Sequence, residues 1–135
     1  MNDMTQVAAF LRRRISKLRR KMTRRQQREW FGWLCWHMSR YNSCAVEDSG
    51  KLVAVGVARA IHNPEDARFQ YRNDETGKLL CVEHVAADTN DGFLELLRYV
   101  QKRWPQCKKI MFYRQKSMNK QKIYDMDNFM RKAFL

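Results

Sequence analysis

Long apolar runs are missing from this chain. No stretch approaches the ~18 consecutive apolar residues of a membrane span, so no segment is expected to cross a bilayer. The first residues are polar and then rich in arginine, with no apolar h-region, so a secretory leader is not expected. The four cysteines, Cys35, Cys44, Cys81 and Cys107, form no C-x-x-C pair. Zinc-ligand spacing is therefore absent, which points to reduced, half-buried thiols in a cytoplasmic compartment. His37 and His62 have no acidic or cysteine partner at ligand spacing, so no metal is expected. A nucleophile elbow, a P-loop and a zinc signature are also lacking. No internal repeat, low-complexity tract or long linker divides the 135 residues, a length that suits one domain.

Acidic residues are scarce: 14 against 27 lysines and arginines, a formal charge of +13. Residues 1–30 hold ten basic and two acidic residues, so +8 of the +13 sits there. A second run, Lys108, Lys109, Arg114, Lys116, Lys120 and Lys122, lies in a stretch without acids. A field of this sign attracts nucleic acid, an anionic membrane, an acidic protein surface or a phosphorylated cofactor, and does not choose among them.

Hydrophobic periodicity gives the elements. Met4, Val7, Leu11, Ile15, Leu18 and Met22 recur at steps of 3 or 4 and predict an amphipathic helix over 4–22. This basic N-terminal helix is set apart from a domain over 23–135. Its stripe must pack on the rest of the chain, on another copy in a homo- or hetero-oligomer, or on a partner. Its arginines, Arg12, Arg13, Arg19 and Arg20 among them, are candidates for facing an anionic partner, nucleic acid or acidic protein. Thr23-Arg24-Arg25-Gln26 fits a capping box and starts a second helix near 24–41. Its wide apolar arc, with Trp30, Trp33, Leu34 and His37, reads as core, although tryptophans can also stack on bases. The period then changes to that of strands. Cys44–Glu47 and Lys51–Ile61 flank the turn Asp48-Ser49-Gly50, Phe69–Arg72 reads as a short extended piece, and Lys78–Ala87 follows. Asn90 or Asp91 is expected to cap a helix near 91–103. Lys109–Tyr113 is the next strand, parallel to 79–87 because a helical crossover joins them. A last helix is expected over 119–133.

This order resembles the GNAT acyltransferase family. Cys44–Ala58 looks like that family's second and third strands, and Leu80–Ala87 like the fourth. Residues 91–103 match the cofactor-side helix, Lys109–Tyr113 the fifth strand, and Lys122-Ile123-Tyr124 the opening of the fourth helix. The likeness covers about 30–134. It implies an α/β fold: a mixed sheet, an antiparallel meander plus one parallel pair, flanked by helices. The family's strand before the first helix has no counterpart, and its two further strands are not expected. A compact basic chain of this kind is similar to small phage-encoded proteins, virion-internal ones included, so a place within a virion is an alternative to the cytoplasm.

The resemblance also implies a chemistry. Acetyl-CoA would lie along Val85 and Ala87 and against Asn90 and Gly92, where the family's Q/R-x-x-G-x-G/A loop presents backbone N–H groups to the pyrophosphate. Here that stretch reads Asp88-Thr89-Asn90-Asp91-Gly92-Phe93, with one glycine and no preceding arginine or glutamine. Asp88 and Asp91 would face a dianion; one such pair at ~6 Å and effective dielectric ~20 repels by about 3 kcal/mol. Weak or no acetyl-CoA binding is expected. An active N-acetyltransferase would use Glu83 as base and Tyr124 as acid. Glu83 and His84 are neighbours on a strand, expected to point to opposite faces, and form no dyad. The reading that results is a GNAT-like basic binding or assembly module without catalysis. The rivals are the acetyltransferase and a nucleic-acid binder of unrelated fold.

Overall fold

The computed structural model describes residues 3–15, 18, 22–112 and 122–135. The candidate residues Arg19, Arg20, Arg114 and Lys116, and the expected strand end Tyr113, lie outside the described residues. In chain order the elements are α1 (Met4–Arg14), α2 (Arg24–Met38), β1 (Ser43–Asp48), β2 (Lys51–Ile61), a 3-10 turn (Pro64–Arg68), β3 (Leu79–Ala87), α3 (Asn90–Arg103), β4 (Lys109–Phe112), β5 (Lys122–Asp125) and α4 (Met126–Ala133). The strands form one mixed sheet in the order β1-β2-β3-β4-β5. The β3–β4 pair is parallel, and β1–β2 and β4–β5 are antiparallel. No helix among the described residues is long and apolar enough to cross a membrane.

The chain folds as two compact units, Met1–Val57 with His84–Leu96, and Ala58–Glu83 with Leu97–Leu135. In the first, α1 begins with a capping box at Asp3 and Gln6. It buries Val7, Phe10 and Leu11 against Trp33 and Leu34 of α2 and Val55 and Val57 of β2. The apolar stripe therefore packs within the chain. The helix is shorter than its periodicity implied. It ends at Arg14, and β-branched Ile15 turns extended at φ −109, ψ 103. Leu18 still reaches the same core, 5% exposed. The stripe residue is buried with or without the break, so its spacing carries no sign of it.

The expected capping box of α2 is present: Thr23 Oγ1 accepts from Gln26 N at 3.1 Å, and Gln26 Oε1 from Thr23 N at 2.9 Å. The helix ends at Met38 rather than 41. Gly32 lies in its middle, and a Cβ built there would meet nothing within 4 Å. Glycine in a helix interior costs about 1 kcal/mol relative to alanine, and no neighbour in the fold requires it. Gly32→Ala is therefore expected to stabilise the protein by about 1 kcal/mol in urea denaturation.

The β1–β2 hairpin turns as expected, with Ser49 at φ 54 and Gly50 at φ 79, the positive pair of a type I′ turn. Alternation on β2 places Val55 and Val57 against α1 and α2, and turns Gly56 toward α3, where a Cβ would lie 3.6 Å from Leu96 Cδ1.

In the second unit Ile61, Ala67, Leu79, Cys81 and Met111 form a core. Two expectations are corrected here. Phe69–Arg72 is not a strand: Phe69 is locally extended, but the chain then turns, with Arg72 N donating to Phe69 O at 2.9 Å, and its carbonyls meet a buried arginine. Residues 122–125 are not helical: they form β5 on the edge of β4, with Ile110 opposite Tyr124. The helix begins at Met126, capped by Asp125, whose carboxylate accepts from Asn128 N at 3.0 Å. All four cysteines are free thiols. Burial pushes Cys44 and Cys107 up to about 11, with nearby Glu95 adding to the rise at Cys44.

Candidate functional site

The residues expected on the cofactor side all lie in the first unit. Val85 is exposed near the end of β3, whereas Ala86 packs on the α1–α2 core. The chain then turns, and Asp88 N donates to Val53 O at 2.7 Å. Thr89, not Asn90 or Asp91, caps α3. Its hydroxyl accepts from Gly92 N at 2.9 Å and its carbonyl from Phe93 N at 3.2 Å. Asn90 and Asp91 are instead the first exposed residues of the helix, where Asp91 complements the helix dipole. Three consecutive polar residues made the cap ambiguous in sequence; only the reach of Thr89 to Gly92 resolves it. Thr89→Ala is expected to lose about 1 kcal/mol, read as a lower midpoint in urea denaturation.

Gly92 is buried for a packing reason. A Cβ there would lie 3.0 Å from Thr89 Oγ1 and 3.1 Å from the Ala54 Cβ, so the glycine lets α3 start close to β2. Two arginines of α1 reach this turn. Arg13 Nη2 and Arg14 Nε lie 3.0 and 2.9 Å from the two Asp88 carboxylate oxygens. Arg14 Nη2 also donates to Ala87 O at 2.9 Å. The charge of Asp88 is thus matched within the chain, which corrects the expectation that both aspartates would oppose an anion. Nothing in the sequence connects positions 75 residues apart, so this pair was not foreseeable. Arg13 also stacks on Phe10, 5.0 Å from the ring centroid. Beside the turn, Trp30 Nε1 donates to His84 Nε2 at 3.1 Å.

The expected catalytic pair lies in the second unit. Arg59, 0% exposed, donates from Nε and Nη2 to Glu83 Oε1 at 3.0 and 2.8 Å. It also donates to the carbonyls of Ala67, Phe69 and Arg72, the last two from Nη1 at 2.5 and 2.7 Å. All five guanidinium N–H groups are used. Glu83, which an active acetyltransferase would use as base, is instead the counter-charge of a buried arginine, with its side chain 12% exposed. Sequence reasoning missed Arg59 because a strand arginine with acids elsewhere has no local mark of burial.

Tyr124 is 41% exposed and sits among the rings of Phe112 and Phe129, at 6.1 and 6.0 Å. Leu80, Ile110 and Tyr124 are register partners across β3, β4 and β5, so they share one face of the sheet. Glu83 lies three residues beyond Leu80. Cys81, its i−2 neighbour, places Sγ 3.7 Å from Glu83 Oε1, which puts both on the other face. Two strand spacings and three residue rises separate the Cα atoms of Glu83 and Tyr124 by roughly 14 Å. The two side chains do not converge.

The basic candidates are spread out. Arg12 is exposed in the last turn of α1, while Arg13 is tied to Asp88. Lys108 and Lys109 are exposed at the start of β4, and Lys108 N donates to Lys78 O at 2.8 Å. No group of three or more metal-ligating side chains occurs among the described residues.

No protein-family model and no curated protein matches the chain. Solved structures do. One is the GphF GNAT-like decarboxylase in complex with isobutyryl-CoA, at a TM-score of 0.57 and 15% identity, covering 82% of this chain and 60% of that one. Another is the loading GNATL domain of CurA from Lyngbya majuscula, at 0.57 and 14%, covering 82% and 59%. The chain thus spans about 60% of the length of these structures. With the mixed sheet and its single parallel pair, they show that the chain has a GNAT-like fold.

Proposed function

We propose that this is a GNAT-fold module that binds an anionic partner through its arginine-rich helices and does not transfer acyl groups. One observation carries the reading that acyl transfer is lost: Glu83 is the counter-charge of buried Arg59, and Tyr124 leaves the opposite face of the sheet. Acyl transfer to an amine needs a base and an acid around one reacting carbon, and these two side chains do not surround one.

The turn after β3 fits coenzyme A poorly, although the GphF neighbour holds an acyl-CoA. A pyrophosphate is held by several backbone N–H groups at a helix start. Here the Gly92 amide is taken by Thr89, and Asp91 is exposed in the first turn. Arg13 and Arg14 are near, but both are engaged by Asp88. No catalytic step through the cofactor follows from these residues. What supports binding instead is charge: +13 overall, with Arg12, Arg24, Arg25 and Arg28 exposed on α1 and α2.

Calorimetry with acetyl-CoA, beside a transfer assay on a panel of amines, tests the reading. Binding should be weak or undetectable and turnover absent. A dissociation constant in the low micromolar range, with turnover lost in Tyr124→Phe, would establish the acetyltransferase instead.

A further inference from the structure

The exposed face of α2 carries a pattern that the core does not explain. Arg25, Arg28, Gly32 and half-buried Trp36 follow one another at steps of 3 or 4 on α2, and Arg40 continues the spacing just past the helix end. Arg25, Arg28 and Gly32 point away from the core, while the Trp36 ring borders it, 4.8 Å from the ring of buried His37. Gly32 is at the centre of the series, with open space where a Cβ would be. On one side of it are Arg24, Arg25 and Arg28; the Arg25 side chain is 83% exposed and pairs with the helix's single acid, Glu29, at 3.1 Å. On the other side the Arg40 guanidinium lies over the Trp36 ring, its Cζ 3.6 Å from the centroid, and donates to Trp36 O and Ser39 Oγ, both at 3.1 Å. Tyr41 follows, 73% exposed and at φ 60, a left-handed conformation that is unusual for tyrosine.

We infer that this face of α2 is a nucleic-acid surface, with Gly32 admitting a phosphate backbone close to the helix between Arg24, Arg25 and Arg28 on one side and Arg40 on the other. Missing side chains let a ligand backbone approach where any larger residue would hold it off. Arginine gives planar, multi-donor contacts to phosphate, and a guanidinium stacked on an aromatic ring is held in place for them. The charge of this face favours a phosphate backbone: four arginines, Arg24 included, against one glutamate. An acidic helix would instead be expected to find an apolar rim beside the glycine; here the exposed helix neighbours Arg28 and Glu29 are charged, and half-buried Trp36 lies under the Arg40 guanidinium. The inference rests on the anionic-partner reading above and names its surface and partner class. It is independent of the acetyl-CoA test, whose outcome it does not share.

The test is fluorescence anisotropy with a labelled 20-nucleotide single strand and a 20-base-pair duplex, at 50 and 200 mM salt. With four phosphate contacts, affinity should fall roughly a hundredfold between the two salts. Arg24→Gln and Arg28→Gln should each flatten the slope of log K against log salt by about 0.9. Gly32→Leu should bind at least roughly tenfold more weakly at an unchanged or higher melting temperature, because the leucine enters open space in a helix. Preference between the two oligonucleotides tells whether exposed bases contribute in addition to the phosphates; binding of either with these responses supports the inference. It is overturned if Gly32→Leu and Arg28→Gln bind as the parent does. It is equally overturned if neither oligonucleotide binds while a glutamate-rich peptide does, which would leave the anionic-partner reading standing.

Discussion

Glu83→Ala is expected to destabilise the protein by about 3–5 kcal/mol, the usual result of removing one member of a buried ion pair. Arg59 is wholly buried, and two of its five hydrogen bonds go to Glu83 Oε1. Without the carboxylate an uncompensated guanidinium remains inside the second unit. Glu83→Gln should fall between, because its amide oxygen still accepts a hydrogen bond but brings no charge. At this chain length the alanine variant should melt roughly 10–18 °C lower, read by circular dichroism. The loss should extend to the bend at 67–72, whose three carbonyls share the same guanidinium, and limited proteolysis should cut there first. Arg59→Met with Glu83→Leu should recover part of the stability, since apolar replacement of a buried pair is often tolerated. Tyr124→Phe should leave stability nearly unchanged, the ring being at the edge and 41% exposed. A Glu83→Ala protein that melts with the parent but has lost an acyl-transfer activity would show that the carboxylate serves chemistry rather than the fold.

Much of the fold was legible because it rests on short-range rules. The turn at Asp48-Ser49-Gly50 needs two residues with positive φ, and Ser49 and Gly50 supply them. The Thr23–Gln26 capping box is complete within four residues. One helix between two apolar runs forces β3 and β4 to be parallel, as they are. The failures lie where a tertiary contact overrides the local pattern. Phe69–Arg72 has strand-like residues, yet it bends around Arg59. Lys122–Asp125 continues a helical period into α4, yet an open edge of β4 recruits it as β5.

The candidate site was less legible, for a related reason. Charge at a site is set by its neighbours in space. Asp88 looked hostile to anions because its partners, Arg13 and Arg14, come from the other end of the chain. Glu83 looked available because Arg59 lies 24 positions away on another strand. The family pattern placed both candidates on familiar elements, but Tyr124 lies on a strand rather than at a helix start, and on the face of the sheet opposite Glu83.

Gly77→Ala is expected to cost at least about 3 kcal/mol, at or beyond the upper end of ordinary overpacking. A Cβ at this position would lie 2.6 Å from the Ile61 carbonyl carbon and 2.8 Å from the Ile61 nitrogen, and would also press on the Ile61 oxygen. These are backbone atoms at the end of β2 and cannot rotate aside as a side chain would. Gly77 cannot easily retreat either. Its amide donates to Asp74 O at 2.8 Å, and its carbonyl accepts from Gln106 Nε2 at 3.3 Å and Cys107 Sγ at 3.5 Å. Replacing glycine also restricts the unfolded chain, which by itself favours folding by about 0.4–1 kcal/mol. That contribution is common to Gly32→Ala, where the new methyl meets open space. The two variants therefore carry the same chemical change and should move urea midpoints in opposite directions, Gly32→Ala upward and Gly77→Ala steeply downward. A Gly77→Ala midpoint within about 0.5 kcal/mol of the parent would mean that the connection from Asp74 to Lys78 can swing away from Ile61, and that the close approach is not required by the fold.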